Sequence, residues 1–207
     1  MTVTFKTEKT KLKTYTVAGD TLADIYKDIL KKGPKDPNDG KKVAALTTTK
    51  LFLQISDPKV RFAPDGATTT NKKGEAVVKA LLKTMDAKMT SETLYPKLGA
   101  AKLSVRAKVE WLRFIGLLIV HEAGHIGDAE KECKAIIKEI DKMRGNGTGA
   151  DEGAAAKNAS MDLAAQIVKA FSVKKLDKRF NDRHKKFDKP KKKGKPGHGP
   201  VLDTSIV

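Results

Sequence analysis

A helical pattern that runs from about Ser104 to Met143 is the feature that most constrains the fold of this chain. A helix of about 40 residues is unusually long for a globular protein. A glycine-rich loop, 145–153, follows it, and a second helical pattern then extends from about 154 to 179. Apolar residues recur on one side of the long helix, at Val105, Val109, Leu112, Ile115 and Ile119. The sequence therefore predicts a fold organised around one long helix.

The long helix contains the run His121-Glu122-Ala123-Gly124-His125, directly after an apolar segment. Residues four apart lie on one face of a helix, so both imidazoles can point at a single ion. Glu122 is offset on the helix surface, where its carboxylate can reach a metal-bound water instead of the metal. Two histidine ligands and a neighbouring general base are the signature of zinc hydrolases. A chance coincidence of residue types is the alternative, and the helical context disfavours it.

A catalytic zinc ion needs a third protein ligand, and the motif itself does not supply one. The extended pattern, with glycine three and histidine six residues after His125, fails because Asp128 and Lys131 occupy those positions. Asp128 shares the face of the histidines, where it would orient an imidazole N–H better than it would bind metal. A carboxylate of the second helix, Glu152 or Asp162, is a further alternative.

Two histidines remain outside the motif. His184 lies in a basic run, Arg183-His-Lys-Lys186, and is interpreted as a solvated side chain. His198 lies between two glycines near the C-terminus, where the backbone can fold tightly over a site. Spacing alone leaves the role of His198 open.

The N-terminal half predicts a small layer of strands and one helix. Residues 12–17 alternate as in a strand, and a helix follows to about Lys32. Residues 43–56 are rich in β-branched side chains and predict a long strand. Residues 58–74 are loop-like, with a short strand at 60–62 as a further expectation. Residues 75–88 fit either a helix or a strand.

Length and composition, with 39% apolar residues, favour a single domain over residues 1–207 or a domain with an extension, the basic segment 173–196. No apolar run is long enough to span a membrane, and the N-terminal residues lack the apolar core of a signal peptide. Cys133 is the one cysteine, so a thiolate-rich zinc site is excluded, and burial is its expected role.

The net charge of +17 is uneven, because residues 173–196 carry 12 Lys/Arg and 3 Asp. Such a basic segment would attract anionic partners such as nucleic acid or an envelope polymer. A solvated, flexible tail is the simpler interpretation of the same residues.

Further segments, in the same order along the chain, resemble a bacterial family of predicted secreted zinc-dependent proteases that is catalogued only as a domain of unknown function. The segments that carry the resemblance are Tyr15-Thr-Val-Ala-Gly-Asp-Thr-Leu-Ala-Asp-Ile25, Lys32-Gly-Pro34, Val43-Ala-Ala-Leu-Thr-Thr-Thr49, Leu94-Tyr-Pro-Lys-Leu98, Trp111-Leu-Arg-Phe114, His121-Glu-Ala-Gly-His125, Phe187-Asp188 and His198-Gly199.

The resemblance implies a secreted or periplasmic metalloprotease that binds Zn²⁺. It makes His198 the favoured third ligand, with Asp188 or a carboxylate of the second helix as the alternatives. A basic stretch, 189–196, is inserted between Asp188 and His198 relative to the family pattern.

These observations predict an α+β fold in which an N-terminal strand–helix–strand layer packs on the long helix and a second helix, with a zincin-like active site. The predicted function is hydrolysis of peptide bonds in a protein or peptide substrate, with His121, His125 and His198 as zinc ligands and Glu122 as general base. Tyr95 is a weaker candidate for stabilising the oxyanion. Two alternatives are a non-catalytic zinc protein whose basic segment holds an anionic partner, and a basic nucleic-acid-binding protein.

Overall fold

A computed structural model describes residues 2–55, 61–189 and 199–207. These residues form a mixed α/β structure with seven strands and four helices. In chain order the elements are β1 (Thr2–Thr7), β2 (Lys11–Val17), α1 (Leu22–Lys32), β3 (Leu46–Gln54), β4 (Arg61–Pro64), β5 (Thr69–Thr70), β6 (Ala76–Leu98), α2 (Val105–Lys142), β7 (Gly145–Gly149), α3 (Glu152–Ala170) and α4 (Val173–Phe187).

The strand β6 is the central strand of the sheet. It is 23 residues long, and each of the other six strands in the described residues pairs with it. The strands β1 and β2 run parallel to β6, whereas β4, β5 and β7 run antiparallel to it. Residues 75–88, for which the sequence left helix and strand open, therefore lie largely in a strand.

The chain divides into two compact units. The first unit consists of Met1–Glu8, Lys50–Met89 and Lys131–Lys178. The second unit consists of Lys9–Thr49, Thr90–Glu130 and Arg179–Val207. The expectation of a single domain over the whole chain stays a prediction.

In the second unit, α1 and β2 pack with α2 around one core. Ile25 and Ile29 of α1 are buried together with Trp111 and Phe114 of α2, whose rings lie 5.9 Å apart. The helix α1 begins where the Oγ1 of Thr21 accepts a hydrogen bond from the N–H of Asp24, which satisfies a backbone donor of the first turn. The predicted strand at 12–17 and the helix that ends at Lys32 are confirmed.

A buried carboxylate attaches the C-terminal segment to α2. Glu110 accepts hydrogen bonds from Nε and Nη2 of Arg113, each at 2.6 Å, and from the backbone N–H of Asp203 at 2.9 Å. The hydrogen bonds from Arg113 lower the pKa of Glu110 to about 2, so the carboxylate is ionised at neutral pH. Leu202, directly before Asp203, is buried in the core.

The first unit contains a strand that the sequence pattern hides. Gly145, Gly147 and Gly149 of β7 face α3, where a Cβ on any of them would clash with helix backbone or side-chain atoms near Ala155, Ala159 or Leu163. Glycine is therefore required by the close approach of strand and helix, and the prediction of a loop at 145–153 was wrong for 145–149. Alanines of α3 complete this contact with β6.

Two further expectations about the helices need correction. The second predicted helix is two helices, because α3 ends at Ala170 and α4 begins at Val173. The basic segment 173–196 is therefore helical as far as Phe187, and its part at 190–196 lies outside the described residues. No helix in the described residues is long and apolar enough to cross a membrane.

Candidate metal centre

The helix α2 brings the three chemically important residues of the motif together. His121 and His125 are one turn apart, and their Nε2 atoms lie 3.1 Å from each other. Their side chains are 13% and 7% exposed. With Glu122 they form a group in which one ligand atom from each residue lies within 4.8 Å of the others, close enough to hold a metal ion.

Asp188, directly after α4, faces both imidazoles. Its Oδ1 lies 3.2 Å from Nε2 of His121 and 3.1 Å from Nε2 of His125. Partial burial would raise the pKa of the Asp188 carboxyl, but the hydrogen bonds and charge interactions with the two histidines outweigh burial and lower it. The carboxylate is therefore ionised at neutral pH and available as an oxygen donor.

Three potential ligand atoms thus form a nearly equilateral triangle. Its edges are the distances of 3.1, 3.1 and 3.2 Å between the two Nε2 atoms and Oδ1 of Asp188. Ligand atoms bound tetrahedrally to Zn²⁺ at about 2.0–2.1 Å are about 3.3–3.4 Å apart. The triangle is therefore close in size to one face of a zinc tetrahedron, and its N₂O donor set is one that zinc accepts.

Glu122 supplies a second sign that the site accommodates a polar group. Its side chain is buried, with 3% exposure, and its Oε2 has no hydrogen-bond partner among the described residues. A buried carboxylate oxygen without a partner is costly. A water or metal-bound group in the site would satisfy it.

His184 lies against the motif and was wrongly predicted to be solvated. Its Nδ1 lies 3.0 Å from Nδ1 of His125, and its Nε2 is buried without a partner in the described part of the chain. Burial, reinforced by the neighbouring His125, lowers the pKa of His184 to about 4, so the ring is neutral at pH 7. It can accept the Nδ1–H of His125 and so fix the tautomer in which Nε2 of His125 is a ligand.

His184 and Asp188 are themselves one helical turn apart, and the N–H of Asp188 continues the helical bonding by donating to the carbonyl of His184. Two pairs with a spacing of four residues therefore face each other, one on α2 and one at the end of α4. That second pair is a sequence signal that could have identified His184.

Close packing at one glycine allows this arrangement. The Phe187 ring lies with its centroid 4.6 Å from that of His125 and 5.5 Å from that of His121. A Cβ on Gly124 would collide with the same ring. The small residue between the two histidines is therefore what lets the end of α4 approach them.

The other predicted residues occupy various positions. Asp128 accepts two hydrogen bonds from the Arg183 guanidinium, at 2.7 and 3.1 Å. Tyr95 is partly buried in the second unit, which also contains His121 and His125, and its pKa is raised by burial and by the charge of Glu122. In the first unit, Asp162 accepts hydrogen bonds from Asn146 and Gln166.

Cys133 is fully buried, as expected. His198 lies outside the described residues, so its role as a ligand stays a prediction.

The fold and the site define a mixed α/β protein with a His-Glu-x-x-His arrangement that could bind a metal ion. Residues 12–195 match the family described as "Bacterial protein of unknown function (DUF922)", and the chain belongs to this family. The curated proteins contain no match to the chain, and the solved structures contain none either.

Proposed function

We propose that this protein is a zinc-dependent peptidase in which His121, His125 and Asp188 hold the metal and Glu122 is the general base. The single observation that carries the proposal is the triangle of two imidazole nitrogens and one carboxylate oxygen with edges of 3.1–3.2 Å. Three protein ligands leave a fourth position for water or substrate, as catalytic zinc sites require.

Each residue has a defined part in this mechanism. When bound, the metal would polarise the scissile carbonyl and lower the pKa of its water. Glu122 follows the first proposed ligand on α2, and its buried, unpartnered Oε2 would be free to accept a proton from an attacking water. The same carboxyl group then gives the proton to the departing amine. Burial of Glu122 keeps bulk water from competing for the proton.

Asp188 and His184 support the mechanism without taking part in proton transfer. Asp188 would supply negative charge that partly neutralises a divalent ion, while neutral His184 would hold the ring of His125 in place through their contact. The lysines of α4 have no part in either role. The alternative, a non-catalytic zinc protein that holds an anionic partner, predicts the same metal content but no hydrolysis of peptides.

The test compares metal content and peptidase activity in three purified proteins. Wild type should contain about one zinc per chain and cleave a mixed peptide library. Glu122→Gln should keep zinc and lose activity by about 10²–10⁴-fold, because general-base catalysis typically contributes that much. His121→Ala should lose zinc as well as activity.

Asp177→Asn is the matched control, since it removes one carboxylate from an exposed position on α4 and should match wild type in both measurements. Full activity of Glu122→Gln would overturn the mechanism. Stoichiometric zinc in a wild-type protein that cleaves no peptide in the library would favour the non-catalytic alternative.

A further inference from the structure

One side of α2 between Val105 and Ala123 is apolar and exposed. Val105 is 77% exposed, Leu112 is 68% exposed and Val120 is 70% exposed. An α-helix turns by 100° per residue, so residues that are three or four positions apart lie on the same face. We call this face the α2 stripe; its members are Val105, Val109, Leu112, Gly116, Ile119, Val120 and Ala123, all exposed.

The α2 stripe is not the face that builds the core. Ala107, Trp111, Phe114 and Leu118 are buried on the opposite side of the same helix. The apolar residues that recur in the sequence at 105, 109, 112 and 119 are thus the exposed ones. A helix on the surface of a globular protein ordinarily has a polar outer face, so a continuous apolar stripe of about 27 Å marks an interaction surface.

The exposed charged side chains of α2 itself along the stripe are all positive, whereas Asp203 of the C-terminal segment is exposed near Arg113. Arg106 and Lys108 are exposed along the same stretch of helix, and Arg113 is exposed next to them. The two acidic residues of this stretch, Glu110 and Glu122, are buried. The stripe is therefore bordered by cations, as in helices that lie in the plane of an anionic membrane surface.

The C-terminal segment extends the apolar area beside Val105. Ser104 Oγ donates to the carbonyl of Val207 at 2.9 Å, and Arg113 Nη2 donates to the carbonyl of Val201 at 3.0 Å. Val201 is 66% and Val207 is 87% exposed. Between this segment and α2 lies an open groove of about 690 Å³, with apolar side chains and arginines in its lining.

We propose that the α2 stripe docks on an anionic lipid surface, with its aliphatic side chains among the acyl chains and Arg106 and Lys108 at the headgroups. A second copy of the chain fits this surface less well, because pairing two stripes would bring like charges together. Nucleic acid supplies the negative charge but no apolar layer for the stripe. The groove beside Val105 offers an acyl chain four aliphatic side chains, and its lining also contains Arg106, Arg113, Ser205 and the Arg113-paired Glu110.

The test is co-sedimentation with vesicles of phosphatidylcholine and phosphatidylglycerol (7:3) in 0.1 M and 0.5 M NaCl. With a net charge of +17, the chain would bind such vesicles at low salt by charge alone. Salt screens that attraction, so binding that persists at 0.5 M NaCl measures the apolar contribution. Wild type should remain bound at 0.5 M salt. The double variant Val109→Ser/Leu112→Ser should bind at least about tenfold more weakly there.

Met161→Ser is the matched control, since Met161 is a 62% exposed apolar residue of α3 outside the stripe; it should bind as wild type does. Arg106→Gln/Lys108→Gln should weaken binding mainly at 0.1 M salt. Circular dichroism checks that every variant is folded.

Equal binding of wild type and Val109→Ser/Leu112→Ser at 0.5 M salt would overturn the proposal. A dimeric mass in light scattering that Leu112→Ser converts to a monomer, without vesicle binding, would assign the stripe to a second copy instead. Neither outcome bears on the metal site, because the histidines lie on the other side of α2 from the stripe.

Discussion

In the proposed centre Asp188 is the third ligand, because Glu122, which also lies within reach of a metal, is assigned to proton transfer. Its Oδ1 is 3.1–3.2 Å from both imidazole nitrogens, and its pKa is lowered by the same contacts. The sequence alone favours His198 for this role, with Asp188 or a carboxylate of the second predicted helix as alternatives. Geometry within the described residues supports Asp188.

Replacing Asp188 should therefore weaken metal binding. Asp188→Asn removes the charge that offsets the cation, and we expect zinc affinity to fall by at least about 100-fold, since even groups that only orient ligands are worth 10–100-fold. Zinc affinity measured by competition with a chromophoric chelator tests this directly. His198→Ala should bind zinc as tightly as wild type. The reverse result, loss of zinc in His198→Ala and wild-type affinity in Asp188→Asn, would assign the third ligand to His198.

At the scale of residues, spacing within one helix predicts which side chains meet, whereas contacts made by tertiary packing leave no local pattern in the sequence. His121 and His125 meet because a helix places residues four apart on one face. His184 was misread because its basic neighbours are typical of a solvated segment. Its burial is set by contact with α2, far away in sequence, and no local pattern contains that information.

Among the helices and strands too, local patterns predict some elements, while tertiary packing determines others. The helices α1 and α2 follow from periodicity and from end signals such as Thr21 and Gly33. The strand β6 was left undecided because its apolar residues at 77, 78, 81 and 82 also fit a helix. The strand β7 was missed because its glycines are selected by contact with α3 and leave no side-chain alternation to read.

The contact between α2 and the end of α4 depends on Gly124 and can be tested by adding one methyl group. Gly124→Ala places a Cβ where the end of the Phe187 ring lies, so the ring must shift, and we expect the adjacent Asp188 to shift with it. We expect zinc affinity to fall about tenfold or more, since displaced ligands bind poorly. Isothermal titration calorimetry measures the affinity.

Gly127→Ala is the control for this prediction. Gly127 lies on the same helix, and a Cβ there has no neighbour within 4 Å. Because alanine is favoured over glycine in helices by about 1 kcal/mol, Gly127→Ala should be at least as stable as wild type and bind zinc equally well. Wild-type zinc affinity in both variants would show that the Phe187 contact does not position the site.

At the scale of the whole molecule, a metal would join segments that are far apart in the chain. Residues 121–125 and 184–188 belong to the same compact unit, and their shared contact is made by polar side chains whose donors and acceptors are only partly matched. A ligand that binds only the folded state stabilises it by mass action. Metal occupancy should therefore be a term in the stability of this unit.

Removing the metal should lower the melting temperature of the unit that holds the site. At a free zinc concentration of about 100 times Kd the stabilisation is about 2.7 kcal/mol, which corresponds to about 5–10 °C for a chain of this size. Trp111 is the one tryptophan of the chain and is buried in the core of the same unit. Its fluorescence therefore reports the relevant transition.

Wild type and Glu122→Gln should both lose about 5–10 °C on adding EDTA, because both keep the three ligands. Asp188→Asn should start lower and respond little to the chelator. This comparison distinguishes the loss of a proposed metal ligand from the loss of the proposed general base without any assay of activity. An unchanged melting temperature of zinc-loaded wild type after complete removal of the metal would contradict the coupling of these segments through the ion. It would leave the packing of Phe187 against His121 and His125 as what holds the end of α4 on α2.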